Sequence, residues 1–162
     1  MKIIHLEDEW PKARSLAHQL HDRIFEFLPP ESAVELDLVE EEDASSRIPS
    51  KIVVSLVGRR PAPIFEYLFV VDLDTLKDIA TPADLVIVDI MRNDKSGRFV
   101  SILPAVMEVF NSGEFSRDRW RYFSAYPEKV PAECDLAGLT KKEHTKLIGF
   151  LFEKICEQQP WT

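Results

Sequence analysis

The stretch ADLVIVDIMRND, residues 83–94, constrains the fold more than any other part of this sequence. Leu85, Val86, Ile87 and Val88 follow one another with no polar residue between them, and then comes a carboxylate, Asp89, before Ile90. An unbroken apolar run of this length reads as a strand covered on both faces, the condition of a parallel sheet held between helix layers. A charge at the end of such a strand is expensive to bury alone, so Asp89 needs companions.

The flanking sequence supplies the layers. KIIHL (2–6) reads as a short strand, and EDEWPKARSLAHQLHDRIFEFLPP as an acidic turn followed by a helix. Its apolar residues Ala13, Leu16, Ala17, Leu20, Ile24 and Phe27 recur at three and four, Pro11 suits the first turn, and Pro29-Pro30 ends the pattern. AVELDLV (33–39) alternates Val34, Leu36 and Leu38 with Glu35 and Asp37, as an edge strand with one wet face does, and the polar EEEDASSRIPS after it reads as a loop of solvated charges. KIVVSLV (51–57) and IFEYLFVV (64–71), separated by the turn-prone GRRPAP, are a hairpin candidate. DLDTLKDIATP reads as a short helix, and RFVSILPAVMEVFN after Gly97 as another, with Pro104 either kinking it or starting its regular part. WRYFSA (120–125) and LAGLT (136–140) read as strands, and KKEHTKLIGFLFEKICEQ as a closing amphipathic helix through Leu147, Ile148, Leu151 and Ile155. Alternating strands and helices predict an α/β fold with a mainly parallel sheet, whose sites lie beyond the carboxyl ends of the strands.

Composition narrows the class. A chain of 162 residues, 45% hydrophobic and 30% charged, suits one packed domain over residues 1–162. The net charge of -8 argues against holding nucleic acid through a general basic surface. No apolar stretch approaches the roughly 20 residues a membrane span needs, and MKIIHLEDEW lacks the pattern of a signal segment, so a cytoplasmic protein without direct nucleic-acid or membrane contact is expected. Cys134 and Cys156 have no CxxC spacing and read as reduced thiols; His18, His21 and His144 read as solvated, since no third ligand accompanies the first two.

In a doubly wound sheet the residues at the carboxyl strand ends meet at one edge. The first strand brings Glu7, Asp8 and Glu9, the apolar strand Asp89, the next strand Ser124 and the last Lys141. Carboxylates brought together repel unless a cation or proton lies among them, and an oxygen-rich cluster of this kind suits Mg²⁺. With a lysine and a hydroxyl beside them, these groups form a place where a carboxylate can become an acyl phosphate.

IIHLEDEW, LVIVDIMRNDKSG, YFSAY and GLTKKE, in this order and spanning nearly the whole chain, resemble the sequence blocks of bacterial response-regulator receiver domains. The resemblance implies a flavodoxin-like, five-stranded parallel sheet in the order 2-1-3-4-5 with helices on both faces. Asp89 then matches the aspartate that accepts a phosphoryl group from a histidine kinase or phosphotransfer protein, and Gly97 the glycine of the following turn. It implies Mg²⁺ held by Asp8 and Asp89, by Glu7 through water and by the main-chain carbonyl of Met91, with Ser124 and Lys141 contacting the phosphoryl group. Such a chain catalyses only its own phosphorylation and dephosphorylation, and signals by binding a downstream protein. Only QQPWT follows the last helix, so a stand-alone domain is expected.

Several positions depart from that pattern. The interval from Asp8 to Asp89 is longer than in the family, the surplus lying between about 40 and 70. The reading adopted here makes Ala33–Val39 the second strand and the surplus an extra hairpin near that edge; the competing alignment makes one of the later runs the second strand. Phe65, Tyr67 and Phe69 with GRRPAP offer a dimer or partner surface, unless the aromatics are core. The interval from Ser124 to Lys141 is short and YPEKVPAECD holds two prolines, predicting a short or irregular fourth helix. Gly138 stands where the family carries an aromatic that rotates on activation, with Tyr126 as a possible substitute, while Asn93 and Lys142 replace prolines. Two rivals remain open: a receiver-like interaction module that is never phosphorylated, and a phosphatase, because FVVDLDTLKD resembles the DxD motif of haloacid-dehalogenase-like enzymes through Asp72 and Asp74.

Overall fold

In the computed structural model, which describes residues 1–28, 34–42, 49–58, 63–80, 82–93, 96–112, 117–126, 128, 130, 137–141 and 143–157, the apolar run is an interior strand. It is β5 (Leu85–Val88) in a seven-stranded sheet. With β1 (Lys2–Leu6), β2 (Glu35–Glu42), β3 (Pro49–Val57), β4 (Pro63–Val70), β8 (Trp120–Ser124) and β9 (Ala137–Lys141) the spatial order is β2-β3-β4-β1-β5-β8-β9. β6 (Met91–Asn93) and β7 (Phe99–Ser101) form a separate antiparallel ribbon.

Helices close both faces, as the unbroken apolar strands require. α1 (Trp10–Phe27) and α4 (His144–Glu157) bury Leu16, Leu20, Ile24, Leu147, Leu151 and Ile155 on one face, against Ile3, Ile87 and Phe123. α2 (Leu73–Ala80) and α3 (Leu103–Ser112) bury Leu76, Val106 and Phe110 on the other, against Ile4, Leu6, Val86 and Val88. The alternation along β1 and β5 sends successive side chains to opposite cores, which is what a doubly wound α/β arrangement demands. No helix among the described residues is long and apolar enough to cross a membrane.

The sheet is mixed, and the strand next to β1 is not the expected one. β4 pairs with β1 in parallel, Ile3 opposite Tyr67 and His5 opposite Phe69. The segment expected as second strand is instead β2, antiparallel to β3 and outermost, with β3 antiparallel to β4. Burial explains the exchange. Phe65, Tyr67 and Phe69 go into one core while Leu68 and Val70 are covered on the opposite face, as an interior strand allows. In β2 the residues Glu35, Asp37 and Val39 are exposed and Leu36 and Leu38 are only half-buried, which suits the edge its alternation predicts. The strand beside β1 is therefore one of the later runs, β4, and not Ala33–Val39, while the 51–71 hairpin forms as read. Its aromatics are core, so they offer no dimer surface; residues 59–62 of the turn lie outside the described residues.

One local reading also changes. RFVSILPAVMEVFN is not one helix: Phe99–Ser101 is strand, and α3 begins at Leu103 with Pro104 in its first turn. Pro104 has no amide to donate to the carbonyl four residues back and its ring suits a first turn, so the helix starts beside it and not at Phe99, and the Leu103 amide donates to Ser101 Oγ at 3.3 Å. Asp72 caps α2: its two oxygens accept from the Thr75 amide and hydroxyl, each at 2.7 Å. The expected irregular fourth helix falls mostly on residues 127, 129 and 131–136, outside the described residues.

Candidate functional site

The carboxyl ends of β1 and β5 are locked side by side. The Glu7 amide donates to the Val70 carbonyl at 3.0 Å and the Asp89 amide to the Leu6 carbonyl at 2.9 Å, so each acid leaves its strand at a backbone position fixed by the sheet. Glu7 and Asp89 are buried, 2% and 5% exposed, and Asp8 is half-buried. One carboxylate oxygen from each of Glu7, Asp8 and Asp89 lies within 4.8 Å of the others. The Glu9 amide donates to Glu7 Oε1 at 3.2 Å and the Met91 amide to Asp89 Oδ1 at 3.2 Å, hydrogen bonds to which the charged forms are the better acceptors.

Three carboxylates at this separation, two of them almost without water, form a hard oxygen donor set, and a divalent cation would relieve their mutual repulsion. Glu7, Asp8 and Asp89 thus fit a metal by donor chemistry. Among the described residues they are the one grouping of three such side chains. Met91, whose carbonyl the resemblance adds to the ligands, is 5% exposed and begins the β6–β7 ribbon directly after Asp89.

Ser124 stands at the end of β8 and is fully buried, its Oγ accepting the Tyr126 amide at 3.1 Å. Lys141 is its register partner on β9, so both candidate phosphoryl contacts sit at the same edge of the sheet; the Lys141 side chain lies outside the described residues. The cleft over Asp8 and Asp89 has a charged wall of Glu9 and Lys12, which form an ion pair, and an apolar wall of Phe99 and Tyr126, whose rings meet edge to face at 6.1 Å. Lys12 and Phe99 were not among the residues singled out in the sequence. Lys12 carried a signal all the same, a cation in the first turn of a helix that starts at the acidic strand end, whereas Phe99 lay hidden in a segment read as helix.

Beneath the acids lies a buried polar pair. His5 Nδ1 and the Tyr67 hydroxyl are 2.7 Å apart, with Phe69 and Phe123 packed on the imidazole. Burial, and secondarily the Glu7 carboxylate, push the Tyr67 phenol well above its ordinary range. The phenol therefore keeps its proton and shares a hydrogen bond with His5 Nδ1.

At the β9 edge of the sheet, Tyr122 lies opposite Gly138 in the β8–β9 register. A Cβ at Gly138 would meet Tyr122 Cζ and Oη at 2.6 Å, so the tyrosine ring occupies the space over this glycine. Compared with protein-family models, with curated proteins and with solved structures, the chain matches none.

Proposed function

We propose that the protein is a receiver-type phosphoacceptor, in which Asp89 takes a phosphoryl group from a phosphohistidine of a kinase or phosphotransfer protein. The observation that carries the reading is the convergence of Glu7, Asp8 and Asp89 at the carboxyl edge of adjacent parallel strands, two of the three acids buried. Topology adds support: the parallel strands β1, β4, β5, β8 and β9, counted alone in chain order, lie as 2-1-3-4-5, the flavodoxin-like order, and β2 and β3 extend that sheet.

In this reading an Asp89 oxygen attacks phosphorus, the phosphorus–nitrogen bond of the donor breaks, and the imidazole nitrogen keeps the electron pair and takes a proton from solvent. Water later attacks phosphorus, releasing inorganic phosphate and restoring the carboxylate. Glu7, Asp8, Asp89 and the Met91 carbonyl would hold Mg²⁺, which supplies charge neutralisation for the phosphoryl oxygens. The Ser124 hydroxyl and the Lys141 ammonium would contact those oxygens, and output would follow from a protein partner that prefers one conformation.

Intact mass after incubation with Mg²⁺ and acetyl phosphate tests this, with Asp89→Asn as control. A hydroxylamine-labile phosphoryl adduct on wild type alone is expected. The absence of an adduct with any donor, a promiscuous kinase included, would favour an unphosphorylated interaction module. One observation speaks for that second reading: with Tyr122 over Gly138, the aromatic at the β8–β9 face comes from a different strand than in the family, so the usual route from site to surface is altered. An adduct on Asp72 would instead revive the phosphatase reading.

A further inference from the structure

α1 opens in an electrostatically awkward way. Its first turn holds Lys12 and no acidic residue, although a cation near a helix N-terminus faces the positive end of the backbone dipole. Glu9 stands at the capping position, where a carboxylate would relieve that field, yet its side chain makes no capping hydrogen bond. Its carboxylate is instead paired with the Lys12 ammonium. The arrangement gives up helix stability to hold a lysine where it lines the same cleft as Asp8 and Asp89.

That position makes chemical sense for an incoming anion. The cleft brings acids from β1 and β5 together, and Lys12 is the cation among the described residues that line it. The Glu9–Lys12 pair is 32% and 45% exposed at its side chains, so solvent weakens it, and a four-carbon stem lets the ammonium swing without moving the helix. A phosphoryl group on Asp89 would carry up to two negative charges in place of the carboxylate's one, set farther out into a site of carboxylates.

We propose that Lys12 is a phosphoryl-contacting residue of the Asp89 site, held on Glu9 until the group arrives and then donating a hydrogen bond to one of its oxygens. The inference rests on the phosphoacceptor reading. No covalent bond to Lys12 forms or breaks. Its charge acts in two opposite directions: it attracts the phosphoryl group and repels a metal ion at Glu7, Asp8 and Asp89.

Those opposite signs are the test. Lys12→Met and Lys12→Arg are compared with wild type in the full chain, by Mn²⁺ titration calorimetry without phosphodonor and by the rate of Asp89 modification from acetyl phosphate at saturating Mg²⁺. Lys12→Met is expected to bind Mn²⁺ about two- to fivefold more tightly, as loss of a partly exposed charge implies. It is expected to accept the phosphoryl group about tenfold more slowly or worse, while Lys12→Arg stays near wild type. Lys12→Met modified at the wild-type rate overturns the proposal. So does Lys12→Met that loses metal affinity together with rate, because that pattern reports a displaced helix rather than a lost contact, and so does a failure of Lys12→Arg to restore the rate. A wild-type chain that is never modified on Asp89 removes the phosphoacceptor reading and this inference with it, whereas a modified wild type matched by Lys12→Met removes this inference alone.

Discussion

Replacing Gly138 by alanine sets a methyl group against a ring. The added carbon would lie 2.6 Å from Tyr122 Cζ and Oη and 3.1 Å from Cε1, well inside the roughly 3.5 to 4.0 Å at which carbon atoms attract. Something must move by about an ångström. The strands cannot part without breaking the pairing of Ser124 with Lys141 next to it, so the ring must give. Tyr122 is half-buried and packs against the α2–α3 core, which leaves its outer end free to swing at the cost of that packing. Overpacking of this kind costs about 1 to 3 kcal/mol, and the partly exposed ring places the expected loss near 1 to 2. Urea denaturation measures it as a lower midpoint with an unchanged slope. Tyr122→Ala in the same background removes the obstacle, so the double-mutant cycle should return a coupling of about 1 kcal/mol or more. An alanine tolerated within about 0.5 kcal/mol, or a cycle that is additive, would refute the close approach on which the reasoning rests.

Asp89→Asn keeps an oxygen acceptor for the Met91 amide while removing one of three crowded charges, so without divalent ions its melting temperature should rise, by the equivalent of about 1 kcal/mol, and the stabilisation that Mg²⁺ confers on wild type should vanish. Tyr67→Phe loses the hydrogen bond to His5 and should cost about 1 kcal/mol at neutral pH. Because the folded phenol titrates above its unfolded value of about 10, its contribution is present below pH 10 and lost as pH rises further, so denaturation curves between pH 9 and 11 should be flatter in the variant. Gly97 has φ 77 with open space around it, so Gly97→Ala should cost about 1 kcal/mol from backbone strain alone, and amide exchange should quicken in the β6–β7 ribbon.

What could be read from residues alone was whatever depends on local period. Leu85–Val88 announces a strand with both faces covered, and the apolar spacing of α1 and α4 announces their buried stripes, since each follows from side-chain direction within one element. Convergence of Glu7, Asp8 and Asp89 was legible for the same reason, because parallel strands end at a common edge. Neighbour relations were not. Both AVELDLV and IFEYLFVV are good strands, and nothing local says which lies beside β1; the decision falls to burial of Phe65, Tyr67 and Phe69 in a core built by distant helices. Phe99–Ser101 was misread because helix and strand periods are indistinguishable over a few residues before a proline. The fit of Tyr122 over Gly138 depends on cross-strand register, which no spacing along the chain encodes.

The mixed character of the sheet has a consequence for the order in which the molecule assembles. β2, β3 and β4 pair in chain order through antiparallel neighbours, whereas β1, β5, β8 and β9 find theirs only across long crossovers. Loop-closure entropy favours the meander first, leaving the inner edge of β4 as a template on which the opening residues of the chain dock late. Glu7 and Asp8 are thus seated among the last, so the crowding of like charges is met only once most of the burial that can withstand it is in place.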